Sequence, residues 1–327
     1  MKSLISIIIP TYNRAHLLGE TLDSILAQTY QHWECIVVDD KSIDASGELM
    51  GFYCERDSRI KYYHRPGERR KGANACRNYG FELSKGEYIQ WFDSDDLMVP
   101  EFLNVKIKTI ESNEVDFVIS KSANFRDPDS KDIISRNEMY YRFQDFEITN
   151  FNYVAQKINW LTYDFLGKRE VIEKVRFNEK LPSGQEYNFF CKLTSFTVKT
   201  RIIDNYLTLR RKHPDSTQAR LQKNKDLRGK EQLLLQFETW KELILLDNKI
   251  SALYCFHQAI KFTLNKKGEW KYVLGLTRGF LNNAQCLTGF WYFLYQVNFK
   301  FFSKGNFFRR KFIKNYNQNV SRLDYNF

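Results

Sequence analysis

Short apolar runs and amphipathic stretches alternate along the first hundred residues. Leu4–Pro10, Trp33–Val38, Ile60–His64 and Glu87–Phe92 have the length and the β-branched, aromatic content of strands. Between them, apolar residues recur at helical spacing. Ala15–Gln28 puts Leu17, Leu18, Leu22, Ile25 and Leu26 on one face, and Ser42–Arg56 and Ala73–Ser84 also read as helices. Strands alternating with helices predict an α/β unit with a parallel sheet covered on both faces. In such sheets ligands sit beyond the carboxyl ends of the strands. Three polar clusters fall at those ends: Pro10-Thr11-Tyr12-Asn13, Asp39-Asp40, and Asp93-Ser94-Asp95-Asp96.

The pattern loosens after residue 103. Asp116–Ser120 and Arg201–Leu209 read as strands, and Arg126–Asp132 as a polar loop. Trp160–Phe165 is an aromatic segment ahead of an expected helix near Arg169–Val175. From about Leu221 the period is helical, with Leu233, Leu234, Phe237, Trp240, Leu243 and Ile244 in phase. The polar run Gln218–Lys230 suggests a boundary near residue 220. It would divide a domain of residues 1–219, with halves 1–103 and 104–219, from a helical region 220–327.

With 43% hydrophobic residues the chain can bury a core, which excludes a disordered protein. Its six cysteines share no metal-ligand or redox spacing and read as ordinary, mostly buried thiols of a reducing compartment. The apolar run at Ile5–Pro10 is too short for the core of a signal peptide, so a cytoplasmic location is expected. The net charge of +11 is concentrated in residues 261–327, where twelve Lys or Arg face only Glu269 and Asp324. That segment is also dense in aromatics, as in Phe290-Trp291-Tyr292-Phe293. No charge falls between Gly279 and Phe299, but Asn282, Asn283, Gln285, Gln296 and Asn298 make it a poor spanning helix. Basic and aromatic residues together fit a surface lying on anionic lipid at the inner face of the membrane. Single-stranded nucleic acid also fits such a mixture, and a helical cap with its aromatics inward is the plainer alternative. Membrane contact through 261–327 is the favoured reading, and no nucleic-acid partner is expected.

Asp93, Asp95 and Asp96 crowd three carboxylates at the end of the fourth predicted strand. Their repulsion raises their pKa values and costs stability. A divalent cation would relieve it, since Mg²⁺ and Mn²⁺ take oxygen ligands and keep positions open for substrate phosphates. The alternative is an acidic turn capping the next helix.

Five segments in order resemble the family 2 glycosyltransferases of GT-A fold, of the inverting, non-processive type. They are Ser6-Ile7-Ile8-Ile9-Pro10-Thr11-Tyr12-Asn13-Arg14, Ser24–Tyr30, Ile36–Asp44, Ala75-Cys76-Arg77-Asn78-Tyr79-Gly80, and Lys85–Asp96. The resemblance is continuous over residues 3–103, weaker to 215, and fades beyond. It implies a Rossmann-like nucleotide-binding mixed sheet flanked by helices, with a C-terminal helical extension. It also implies transfer of a sugar from a nucleotide sugar, a UDP-sugar, to a glycan or lipid-linked glycan in surface polysaccharide biosynthesis, with Mn²⁺ or Mg²⁺ as cofactor.

Position by position, the resemblance assigns Pro10, Tyr12 and Asn13 to the base and ribose, Asp40 to the base, and Arg77 to the nucleotide. Asp93 and Ser94 fall to the ribose side, Asp95 to the metal, and His213 to the metal or diphosphate. The chemistry suits each role: a tyrosine ring for stacking, a carboxylate for a pyrimidine N–H, a guanidinium for phosphate charge. The family's catalytic Asp follows a Phe-x-Glu-x-Leu segment, here Phe177–Leu181, and the aligned residue is Glu186. Gln185 stands where a Glu is usual, and Glu186 where the Asp is usual. This departure leaves open a second reading, a catalytically silent nucleotide-sugar binder or assembly partner. The Gln-x-x-Arg-Trp motif of processive members is missing, which implies one sugar per encounter.

Overall fold

A computed structural model describes residues 2–213, 224–264, 269–282, 285–302 and 306–321. The expected boundary near residue 220 lies outside the described residues.

Nine strands form one mixed sheet. They are β1 (Ile5–Thr11), β2 (Trp33–Asp39), β3 (Ile60–His64), β4 (Tyr88–Trp91), β5 (Leu97–Met98), β6 (Phe117–Arg126), β7 (Asp129–Arg136), β8 (Phe165–Lys168) and β9 (Thr200–Lys212). Their order is β3-β2-β1-β4-β8-β6-β9-β5, with β7 paired to β6. The β3-β2-β1-β4 part is parallel, as the alternation predicts. At β8 the sheet turns antiparallel, and β6 and β9 then run parallel to each other. Every residue of β1 and β2 is buried, because helices cover both faces. Ile5, Ile7 and Ile9 pack with Leu18 and Leu22 of α1 (Ala15–Leu26), Met50 of α2 (Ser46–Arg56) and Ile107 of α4 (Phe102–Ser112). The other face carries α3 (Ala73–Leu83) and α7 (Gln185–Phe196), and its core runs from Ile8 and Trp91 through Phe189.

Two expectations for the middle of the chain are corrected. The polar loop expected at Arg126–Asp132 is a hairpin, with β6 running to Arg126 and β7 starting at Asp129. Nearly all of β7 is exposed, so no apolar alternation marks it, and backbone pairing alone makes it a strand. The helix expected at Arg169–Val175 is a single turn, α6 (Arg169–Ile172), preceded by β8. A four-residue strand is too short to show a period.

Among the described residues, five further helices follow α6 and α7: α8 (Lys225–Leu245), α9 (Lys249–Thr263), α10 (Trp270–Asn282), α11 (Cys286–Phe302) and α12 (Asn306–Ser321). A short helix, α5 (Asn150–Val154), lies between β7 and β8. The core under α7 continues through Leu235, Trp240, Phe256, Phe280, Tyr292 and Phe312 of α8 to α12. The helices α8 to α12 therefore share the core under this face of the sheet. Among the described residues, no helix is long and apolar enough to cross a membrane.

Candidate active site

A cavity of about 440 Å³ opens at the carboxyl ends of β1 and β4, closed on its far side by the start of α7 and the end of β9. Pro10 and Tyr12 line it from β1, Asp40 from β2, Arg77 from α3. Asp93, Ser94 and Asp95 follow β4, and Glu186 and His213 complete the wall. Asn13 alone of the expected residues is off that wall. Its backbone is left-handed (φ 50°), its N–H donates to Ser42 Oγ (2.8 Å), and its Oδ1 accepts from the Ile43 N–H (2.9 Å). Asn tolerates this conformation, and here it ties the loop after β1 to the loop after β2.

The two Asp residues after β2 divide their work. Asp39 accepts from the Ser42 N–H (2.7 Å) and the Tyr62 hydroxyl, which occupies it structurally. Asp40 reaches the cavity and is paired with Arg65, both side chains buried. Arg65 also donates to the carbonyls of Pro66 and Arg69, so one side chain fixes Asp40 and the following loop together. That loop sets Lys71 Nζ 4.1 Å from the centre of the Tyr12 ring. The ring expected to stack a base thus carries an ammonium group on its face, a cation–π contact. Neither Arg65 nor Lys71 belongs to a motif, and their pairing depends on the path of the loop.

At the end of β4 the carboxylates are separated by their partners. Asp93 Oδ1 accepts from Arg77 Nη2 at 2.7 Å, and Arg77 is buried with its Nε and Nη1 unpartnered. Asp95 Oδ2 lies 3.0 Å from His213 Nε2 and 3.9 Å from Arg14 Nε. Burial pushes the Asp95 carboxyl up, but the His213 hydrogen bond and the charges of His213, Arg14 and Arg210 outweigh it and hold Asp95 below its ordinary value. Asp96 goes the other way: burial, then the charges of Asp95 and Asp93, raise it well above the carboxylate range. Its Oδ1 accepts the Arg211 N–H (2.9 Å) and its carbonyl the Thr21 hydroxyl (2.9 Å). Asp96 is therefore no helix cap. The next helix, α4, starts six residues later behind Glu101. Asp96 instead joins the β4 turn to β9.

Glu186 stands in the first turn of α7, whose N-cap Gly184 is left-handed (φ 70°). A Cβ at Gly184 would also meet the Leu235 side chain of α8, so any other residue there is strained in its backbone and must displace Leu235. The α7 helix is held from α8: Asn188 Nδ2 donates to Thr239 Oγ1 (3.0 Å) and Glu242 Oε2 (2.7 Å), and Lys192 Nζ to Glu242 Oε1 (3.0 Å). Burial, and then the charge of Asp93, raise the Glu186 carboxyl above its usual pKa, against the pull of Arg77 and Arg210. A carboxyl so shifted is better matched to accept a proton near neutral pH. Arg210 and Tyr140 line the same end of the cavity. Tyr140 comes from a short turn that carries no sequence signal of a site.

The residues at Asp95 can be tested against a divalent cation. Among the described residues no group of three His, Cys, Asp or Glu side chains is arranged to hold a metal. An ionised carboxylate and an imidazole do converge on the cavity wall. Two protein donors suit a cation that takes its remaining ligands from phosphate oxygens and water, and do not suit an all-protein cage.

Comparison with known proteins agrees with this geometry. The glycosyl transferase family 2 model matches residues 6–176, and the chain belongs to that family. Glycosyltransferase GlyG of Streptococcus pneumoniae serotype 4 is 33% identical over 187 residues, covering 55% of this chain and 60% of GlyG. An uncharacterized glycosyltransferase of Rickettsia bellii is 31% identical over 192 residues, covering 58% of this chain and 26% of that protein. The match thus spans under two thirds of either relative's own length. Among solved structures, S. aureus TarS 1–349 in complex with UDP has a TM-score of 0.58 at 18% identity, covering 100% of this chain and 93% of TarS 1–349. Mannosyltransferase PcManGT from Pyrobaculum calidifontis, in complex with GDP-Man and Mn²⁺, has a TM-score of 0.56 at 15% identity, covering 93% of this chain and 88% of its own. These likenesses show the GT-A fold with a helical C-terminal region.

Proposed function

We propose that the chain is an inverting glycosyltransferase that moves a sugar from a UDP-sugar to a hydroxyl of a glycan or lipid-linked glycan in surface polysaccharide biosynthesis. One observation carries the reading. A carboxyl with a raised pKa, Glu186, faces the same cavity as Asp93, Asp95 and His213, with Tyr12 and Asp40 along one wall. Glu186 takes the proton of the acceptor hydroxyl as that oxygen attacks the sugar C1. The bond from C1 to the diphosphate breaks, and UDP leaves with the electron pair. Such a base contributes about 10²–10⁴ in rate. A divalent cation, Mn²⁺ or Mg²⁺, held by Asp95 and His213 together with diphosphate oxygens, would offset the charge on the departing UDP. Asp40 accepts from the pyrimidine N–H, with Arg65 holding its other oxygen. Arg77 orients Asp93 toward the ribose, beside Ser94 and Pro10, while Asn13 acts by shaping the loop.

The UDP complex of TarS and the Mn²⁺ complex of PcManGT support the donor and cation choices by analogy. A cytoplasmic location, a peripheral position at the inner membrane face, and a division of the chain near residue 220 belong to the same proposal. The test is nucleotide release from a panel of UDP-, GDP- and dTDP-sugars with Mn²⁺. A UDP-sugar is expected to turn over, and Asp95→Ala or EDTA to abolish it. Turnover unchanged by both would remove the metal role. Gln185 at the usual Glu position favours a second reading, a silent binder, which UDP binding without turnover of any donor would support.

A further inference from the structure

The α11 helix is built inside out. Its inward arc carries Thr288, Tyr292, Tyr295 and Gln296, all buried. These polar groups close the end of α9: Gln296 Nε2 donates to the Thr263 carbonyl (3.0 Å), the Tyr295 hydroxyl to the Leu264 carbonyl, and the Tyr292 and Thr263 hydroxyls pair at 3.0 Å. Carbonyls at a helix end need such partners. The opposite arc, at helical spacing, is apolar but for the half-buried Asn298: Leu287 is 58% exposed, Phe290 51% and Phe301 65%, with Leu294 between them half-buried. A helix that leaves large apolar side chains facing outward in a row is not serving only as a cap.

The flanks of that arc are basic. On α12 the exposed face holds Phe307, Arg310, Lys311 and Lys314, one helical stripe, and on α10 Arg278 is exposed. None of these four cations has an acidic partner among the described residues. The Trp291 ring of α11 meets Phe307 at 6.5 Å, which joins the apolar arc to the basic stripe.

We infer that the outer face of α11 and α12 docks on an anionic lipid surface, with α11 lying in the plane of the interface. The charge complementarity selects the occupant. An apolar arc beside cations with no acidic partner among the described residues fits acyl boundary and anionic headgroups, whereas a second copy would bring like charges together. The inference deepens the proposed peripheral position by naming the surface that makes it. It does not depend on catalysis, because vesicle binding and donor turnover are read separately.

The test is co-sedimentation of the full chain with phosphatidylcholine vesicles and with vesicles containing phosphatidylglycerol. Binding is expected only to the second set, and to weaken with added salt. Phe290→Ser combined with Phe301→Ser should lower it at least tenfold. Arg310→Gln, Lys311→Gln and Lys314→Gln should each lower it about fivefold. These side chains are exposed, so circular dichroism and UDP-sugar turnover with a soluble acceptor should match the parent chain. Vesicle binding that none of the substitutions lowers would overturn the inference. So would substitutions that leave vesicle binding intact and convert a dimer to a monomer in light scattering, which would assign the face to a second copy.

Discussion

The strand-end region and the start of α7 meet at the same cavity but are held there differently. In β1–β4 the functional groups follow strand ends directly, so each lies within a few residues of the element that holds it. Asp93 and Asp95 leave β4, Asp40 leaves β2, and Tyr12 leaves β1. Glu186 depends on distant support: Leu235 lies beneath its N-cap, and Asn188 and Lys192 are anchored on α8 about fifty residues later. The first region presents its polar groups by local geometry. The second places one buried carboxyl through long-range packing.

Breaking each side should give distinct losses. The largest effect is expected on the helix side: Glu186→Gln should lower transfer by about 10²–10⁴ while UDP affinity stays near that of the parent chain. Because the Glu186 pKa is raised, its base form is lost as pH falls through a value above the ordinary one for a glutamate. The acid limb of kcat for the parent chain should lie there, and transfer at parental rates by the variant would place the base elsewhere. Arg65→Met leaves the buried Asp40 carboxylate unpaired. It should cost about 3–5 kcal/mol in chemical denaturation and weaken UDP binding. Stability with UDP binding unchanged would remove Arg65 from the strand-end account.

Leu235→Ala should cost about 2–5 kcal/mol and lower kcat more than it weakens UDP, since it opens a hole below the Gly184 cap. Equal losses in both readouts would erase the contrast between the regions. The smallest effect concerns α9, where burial drives the His257 pKa down to about 4. The unfolded chain takes up this proton near pH 6.5. Stability therefore declines as pH falls from about 6.5 toward the folded value, by up to about 3 kcal/mol. His257→Leu should flatten that slope in urea titrations at stepped pH, and a slope unchanged by the substitution would exclude His257 as its source.

The same contrast explains what could be read in the sequence. The β1–β4 strands and their polar ends were legible because buried parallel strands are continuous apolar runs with abrupt polar stops. The exposed β7 and four-residue β8 carry no period, so they emerge only from pairing. The resemblance pointed to Glu186, yet Leu235 beneath the Gly184 cap was only one more apolar position in a helical pattern. Arg65 and Lys71 lie in a charged loop whose path decides what they touch. The outward arc of α11 was likewise hidden, since a helix with aromatic residues on every side does not reveal which side faces the core.

The central claim is that the β1–β4 ends hold a uridine diphosphate with a cation at Asp95. The measurement closest to it is calorimetric titration of UDP into the chain with Mn²⁺, repeated with Asp95→Ala and with EDTA. The account predicts one UDP per chain, weakened at least tenfold by either change. Absence of UDP binding, or an affinity indifferent to both changes, would contradict it.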